Sequence, residues 1–101
     1  MMRHVVLLNF KQPLSQRDHD DIQQSCEAIR QELTGIISLD FVANASDRSR
    51  SYTHAFVADF VDQDAHDRYQ QAPVHAALKR RVGALCDDLV VLDYQVLALN
   101  L

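Results

Sequence analysis

Punctuation is scarce in this chain. Of its 101 residues only two are glycine and two are proline, so few positions force a turn and each of them marks a boundary. Basic residues are in the minority, ten Lys and Arg against fourteen Asp and Glu, for a net charge of −4. The one dense basic run is Lys79-Arg80-Arg81, with Arg48 and Arg50 as a loose second pair. Neither makes a stripe that would neutralise a phosphate backbone, so nucleic acid is not expected as a partner. Cysteine is limited to Cys26 and Cys86, far apart in sequence, with no CxxC spacing and no adjacent histidine to complete a metal set. Both read as small buried thiols. The apolar run Val5-Val6-Leu7-Leu8 behind Met-Met-Arg-His is too short for a signal peptide and has no small-residue cleavage site. A soluble protein of the reducing cytoplasm, with no membrane partner, is expected. Repeats and low-complexity segments are absent.

What is present is enough apolar material, 48% of residues, for one core, and the length suits a single domain over residues 1–101. Arg3 to Phe10 is rich in branched aliphatics and is stopped by Lys11-Gln12-Pro13, which predicts a strand apolar on both faces. Ser15 followed by Asp18 marks a helix start, and Ile22, Cys26, Ile29 and Leu33 recur at helical spacing up to Gly35, a C-cap glycine. Ile36 to Asn44 alternates as a half-polar edge strand, with Ile37, Leu39, Phe41 and Ala43 on one face. The polar stretch Asn44 to Ser51 is a loop, and Tyr52 to Phe60 returns as a strand. Asp62 caps a short helix with Ala65 and Tyr69 inward. Pro73 must end that helix and open another through Val74, Leu78, Val82 and Leu85. Asp88 to Leu99 is a strongly apolar last strand.

This β-α-β-β-α(α)-β order predicts an α+β, ferredoxin-like split βαβ fold: a four-stranded antiparallel sheet with its helices on one face. The other face is then bare, and Val5, Leu7, Ala55, Val57, Leu89 and Val91 are assigned to it. A soluble monomer does not tolerate an apolar patch of that extent. Burying about 600 Å² of apolar surface per chain at ~25 cal/mol per Å² yields on the order of 15 kcal/mol before association costs. A homodimer through the open sheet face is expected.

Chemistry concentrates at the elbow, where Tyr69 and His75 flank Pro73 and can face one concave spot. His75 falls in the first turn of a helix, where the positive end of the macrodipole disfavours the imidazolium. A neutral imidazole beside a phenol is able to take a proton α to a carbonyl while the hydroxyl steadies the oxygen. Alternatively the two side chains satisfy each other and close the elbow. Both readings stand at this point. Asp93, beside Tyr94, is assigned to orient an imidazole or a backbone donor. The acidic group Asp18, Asp20 and Asp21 with His19 is read as charge suited to a helix start.

The blocks Arg3-His4-Val5-Val6-Leu7, Tyr52-Thr53-His54-Ala55, Tyr69-Gln70-Gln71-Ala72-Pro73-Val74-His75 with Leu78, and Val90-Val91-Leu92-Asp93-Tyr94 together resemble the stress-responsive dimeric α/β-barrel (Dabb) family. The resemblance spans nearly the whole chain and implies small ferredoxin-like dimers whose two sheets close into a barrel. A plant branch of that family cyclises linear polyketides in a pocket between sheet and helices, with a tyrosine and a histidine at the Y-x5-H elbow. The matching positions here are Tyr69 and His75, as candidate catalytic residues, with His4 and His54 matching two further pocket histidines. Phe56, on the strand face of His54, is counted with the candidate ligand pocket, as is Asp93. The chain departs from the plant pattern at Ala72, where the cyclase has another histidine. Two functions follow: a dimer that holds a small, partly apolar ligand, or a cofactor-free lyase, cyclase or isomerase acting on a carbonyl compound with His75 as general base and Tyr69 as its partner. No further set of cofactor-directed residues is present, so no cofactor is expected. His4 and His54 start strands that should be antiparallel neighbours, too far apart to share one ion with His75 at roughly 2.1 Å, so no metal is expected.

Overall fold

The computed structural model describes residues 1–97. Within them the elements run β1 (Met2–Phe10), α1 (Gln16–Glu32), β2 (Ile36–Ala43), β3 (His54–Phe60), α2 (Gln63–Gln71), α3 (Pro73–Leu85) and β4 (Cys86–Gln95). The first two helices begin where a side chain replaces a missing backbone partner. Ser15 accepts the amide of Asp18 at 3.1 Å and Asp62 that of Ala65 at 2.9 Å, as their sequence positions predict. The third has no such cap, because Pro73 at its first turn carries no N–H to satisfy. Ala72, ahead of the proline, is extended (φ −70°, ψ 136°), which separates α2 from α3 and makes the elbow.

Helix α1 ends at Glu32 with Leu33 as its cap, rather than at a Gly35 cap. Gly35 lies two residues further on, at φ +86°, and a Cβ there would stand 2.7 Å from the Cβ of Ala65. The turn into β2 and the close approach of α2 are what require glycine. Strand β4 takes over directly from α3 at Cys86, earlier than the expected Asp88, because Phe10 pairs with Cys86 across a shift at Asn9/Phe10. It ends at Gln95; Leu99 lies outside the described residues.

The sheet order is β2-β3-β1-β4, with every neighbouring pair antiparallel, and the split βαβ architecture is as expected. Directly paired residues share a face. One face carries Leu8, Leu39, Phe41, Phe56, Ala58 and Phe60 against Ile22, Cys26 and Ile29 of α1 and against Ala65, Tyr69, Leu78 and Val82 of the other helices. Ile22 and Ile29 are fully buried, each contributing about 2–3 kcal/mol of transfer free energy. The spacing of 22, 26 and 29 places them on one stripe of α1.

Two face assignments change. In β4, Leu89 pairs with Leu8, Val91 with Val6 and Asp93 with His4, so Leu89 and Val91 lie on the helix side of the sheet. The outer face carries Val90, Leu92 and Tyr94 instead, opposite Leu7, Val5 and Arg3. Both parities of β4 are apolar, so its hydrophobic pattern alone could not choose between them. In β2 a register shift between Ile36 and Ser38 turns Ile36 toward the core and leaves Ile37 56% exposed; an irregularity of this kind breaks simple alternation.

The outer face is a band of Val5, Leu7, Ala55, Val57, Val90 and Leu92, with Val42 at its edge. At one end of it Arg3 makes a two-pronged ion pair with Asp59, at 2.7 and 3.0 Å, and reaches the hydroxyl of Tyr94 at 3.3 Å. Among the described residues no helix is long and apolar enough to cross a membrane.

Candidate functional site

The helices cover β2, β3 and β1 more fully than β4, so the inward face of β4 is left open: Leu89 is 45% and Val91 49% exposed although both point to the helix side. A cleft of about 520 Å³ results, lined by His4, Val6, His66, Gln70, His75, Lys79, Leu89, Val91 and Asp93. Beside it is a smaller apolar cavity of about 130 Å³, lined by Val6, Leu8, Phe56, Tyr69, Leu78, Val82 and Leu89 among others. Val6, Lys79 and Leu89 border both.

The elbow does bring Tyr69 and His75 together. Their rings stack, centroids 4.0 Å apart and planes 29° from parallel, and they share no hydrogen bond among the described residues. Tyr69 is 3% and His75 6% exposed. Burial is the main reason the Tyr69 phenol is pushed well above its ordinary range, so it remains a proton donor at neutral pH. Burial also pulls His75 down to about 4; the Gln70 backbone opposes this, while Lys79, His4 and His66 add to it. The ring is therefore neutral, as its helix position suggested, with burial as the leading cause. Its Nδ1 is buried with no hydrogen-bond partner.

His4 is the third member, its ring 6.0 Å from Tyr69 in an edge-on arrangement. Asp93, its direct neighbour in the β1–β4 register, pairs with Nδ1 of His4. Of the two partners expected for Asp93, an imidazole or a backbone donor, the contact is with an imidazole. The pair fixes the His4 ring and turns its other nitrogen away from the carboxylate.

His54 is placed elsewhere. It pairs with Leu8, four positions along β1 from His4, or about 13 Å at strand rise. There it stacks on Phe41 (5.2 Å, 7°), meets Phe10 at 5.3 Å and His19 at 6.4 Å, and bonds Thr53 at 2.8 Å. Burial and then His19 lower its pKa. The expected grouping of His54 with the elbow is corrected: residues four apart on a strand share a face without sharing a site. Phe56 does reach the elbow region, as a wall of the apolar cavity that also touches Tyr69.

His66, on α2, was not singled out from sequence. It is buried, 4.9 Å from His4 and 5.0 Å from Phe60, with Gln70 2.9 Å from its Nε2 and Gln63 3.4 Å from its Nδ1. Burial, followed by His4, lowers its pKa. Its position one after Ala65 and three before Tyr69 puts it on the helix stripe that faces the sheet, a signal for its burial but not for its meeting with His4.

The chain matches the family described as Stress responsive A/B Barrel Domain over residues 2–96. It is 23% identical, over 97% of its length and 88% of the relative's, to the stress-response A/B barrel domain-containing protein At5g22580 of Arabidopsis thaliana. Among solved structures, a dimeric ferredoxin-like protein of unknown function from Jannaschia sp. superposes with a TM-score of 0.83 at 23% identity, covering 94% of this chain and 98% of that one. A hydroxynitrile lyase from Passiflora edulis superposes with a TM-score of 0.79 at 22% identity, covering 92% and 90%. At these identities the structural likeness speaks to the fold.

Proposed function

Since this chain belongs to the stress-responsive A/B barrel domain family, we propose that it works as a homodimer, joined through the outer sheet face, in which each chain holds a small, partly apolar organic molecule between sheet and helices. The observation that carries the ligand reading is a pair of adjacent spaces with three lining residues in common, an apolar cavity lined by Phe56 and Tyr69 and a cleft edged by His4, His75, Gln70, Lys79 and Asp93. A ligand with an apolar part and a polar or carbonyl-bearing part fits that division. The dimer is supported by the exposed apolar band and by the dimeric ferredoxin-like structure of similar fold. Cytoplasmic placement belongs to the same reading, supported by two buried free thiols.

The alternative is catalysis on a carbonyl compound, with His75 taking a proton and Tyr69 donating a hydrogen bond to the oxygen. The stacked, buried, neutral pair favours it, and one protein of similar fold is a hydroxynitrile lyase. Native mass spectrometry for co-purified small molecules, followed by binding measurements on His75→Ala and Phe56→Ala, tests both. Binding should fall strongly in each variant while the circular dichroism spectrum is kept. Unchanged affinity for an identified ligand in both variants removes the pocket. Undiminished turnover in His75→Ala, with binding intact, removes the catalytic alternative alone.

A further inference from the structure

We infer that His4, His66 and Asp93 form a binding site for a divalent transition-metal ion of the zinc class. Each offers one ligand atom, and the three atoms all lie within 4.8 Å of one another. Tetrahedral bonds of about 2.1 Å set ligand atoms about 3.4 Å apart, so closing the set takes side-chain movement on the order of 1 Å. The frame for it is firm on two sides: His4 and Asp93 are directly paired residues of adjacent strands. The third ligand comes from α2, whose His66 is packed against Phe60.

The donor chemistry selects the class of ion. Two imidazoles and one carboxylate suit zinc and its neighbours, whereas calcium and magnesium take oxygen ligands. The two ring nitrogens of His66 are attended by Gln63 and Gln70. One glutamine gives way to the ion, and the other turns its side-chain amide so that the oxygen accepts the N–H of the remaining ring nitrogen, the place a carboxylate or carbonyl takes beside many ligating histidines. Asp93, now paired with His4, becomes a co-ligand. Its side chain is 38% exposed, which leaves an entry path, and the remaining coordination position opens on the 520 Å³ cleft. The sequence pattern gave no metal because the set weighed there was His4, His54 and His75, which the fold does not gather; His66 is the missing ligand.

The inference is independent of the organic ligand, since either occupant can be found without the other. Chelator-treated protein is titrated with zinc chloride in a calorimeter near pH 7.5. One ion per chain is expected, with His66→Gln and Asp93→Asn each weakening it roughly tenfold or more and His54→Ala leaving it unchanged. Absence of saturable binding by the wild type overturns the site, as does binding that survives both variants or disappears in His54→Ala. Should the variants misfold, cobalt(II) added to the wild type decides the matter. A visible spectrum of nitrogen and oxygen ligation supports the site; no bound cobalt spectrum, or a thiolate charge-transfer band implicating Cys26 or Cys86, refutes it.

Discussion

Replacing Val5 by aspartate tests the outer face most directly. Val5 sits on the inner strand β1 between Val57 of β3 and Leu92 of β4, and Leu92 is 56% exposed in the single chain. In the monomer Val5 is only half-buried, so an aspartate there remains in contact with water and the fold loses about 1 kcal/mol. In a face-to-face dimer the same carboxylate enters a dry intersheet layer. The lost apolar burial is about 2 kcal/mol, and an unpaired charge adds several more. Twofold symmetry counts the substitution twice, so association weakens by on the order of 10 kcal/mol, or about seven powers of ten in Kd. Sedimentation velocity at micromolar concentration should show the wild type as a dimer and Val5→Asp as monomer or aggregate, with Gln31→Glu on α1 as a charge-matched control that stays dimeric. A compact wild-type monomer, or a Val5→Asp protein that dimerises normally, rules out a dimer built on this face.

Other consequences are as specific. Gly35→Ala meets both a positive φ and a 2.7 Å contact with Ala65, and should cost about 2–3 kcal/mol in urea unfolding. Cys26, whose thiol burial and then Asp40 push up to about 12, should stay unreactive to a thiol reagent at pH 8 in the native state and react at once in denaturant. His75 binds its proton more weakly folded than unfolded, so its contribution to stability is fully present above pH 6.5 and is lost as pH falls from there toward about 4. His54 and His66, also lowered, add to that loss. The fall should be shallower in His75→Gln, by on the order of 2 kcal/mol between pH 7 and 4.5, read from urea unfolding curves; an unchanged pH slope removes the assignment.

Elements whose pattern had one solution were legible from sequence. Ser15, Asp62 and Pro73 each start the helix they announce, because caps and prolines act locally. The elbow follows from Pro73, and with it the meeting of Tyr69 and His75. Positions whose pattern had two solutions were not. Strand β4 is apolar on both parities, so only its pairing with β1 decides that Asp93 joins His4 on the inner face. The shift at Ile36 to Ser38 is set by pairing with β3, and no single residue type marks it. The separation of His54 from His4 was legible from their antiparallel strands, but the shared face alone counted His54 with the pocket, and face is periodic while distance along a strand is not. His66 needed the approach of α2 to His4, a long-range event that helical spacing alone does not convey.

The register of β1 also bears on how the chain is made. β1 lies between β3 and β4, and β4 begins only at Cys86. As the chain leaves the ribosome, the first strand has no neighbour until β3 appears and retains one open edge until residue 95 is out. Closing that edge joins segments such as Met2 and Gln95, nearly the full described length apart, so the slowest contacts are those that complete the sheet. During that interval the unpaired edge of β1 is free to join another nascent copy by strand exchange. A chaperone that shields the first strand should therefore raise the soluble yield more than one acting on the finished chain.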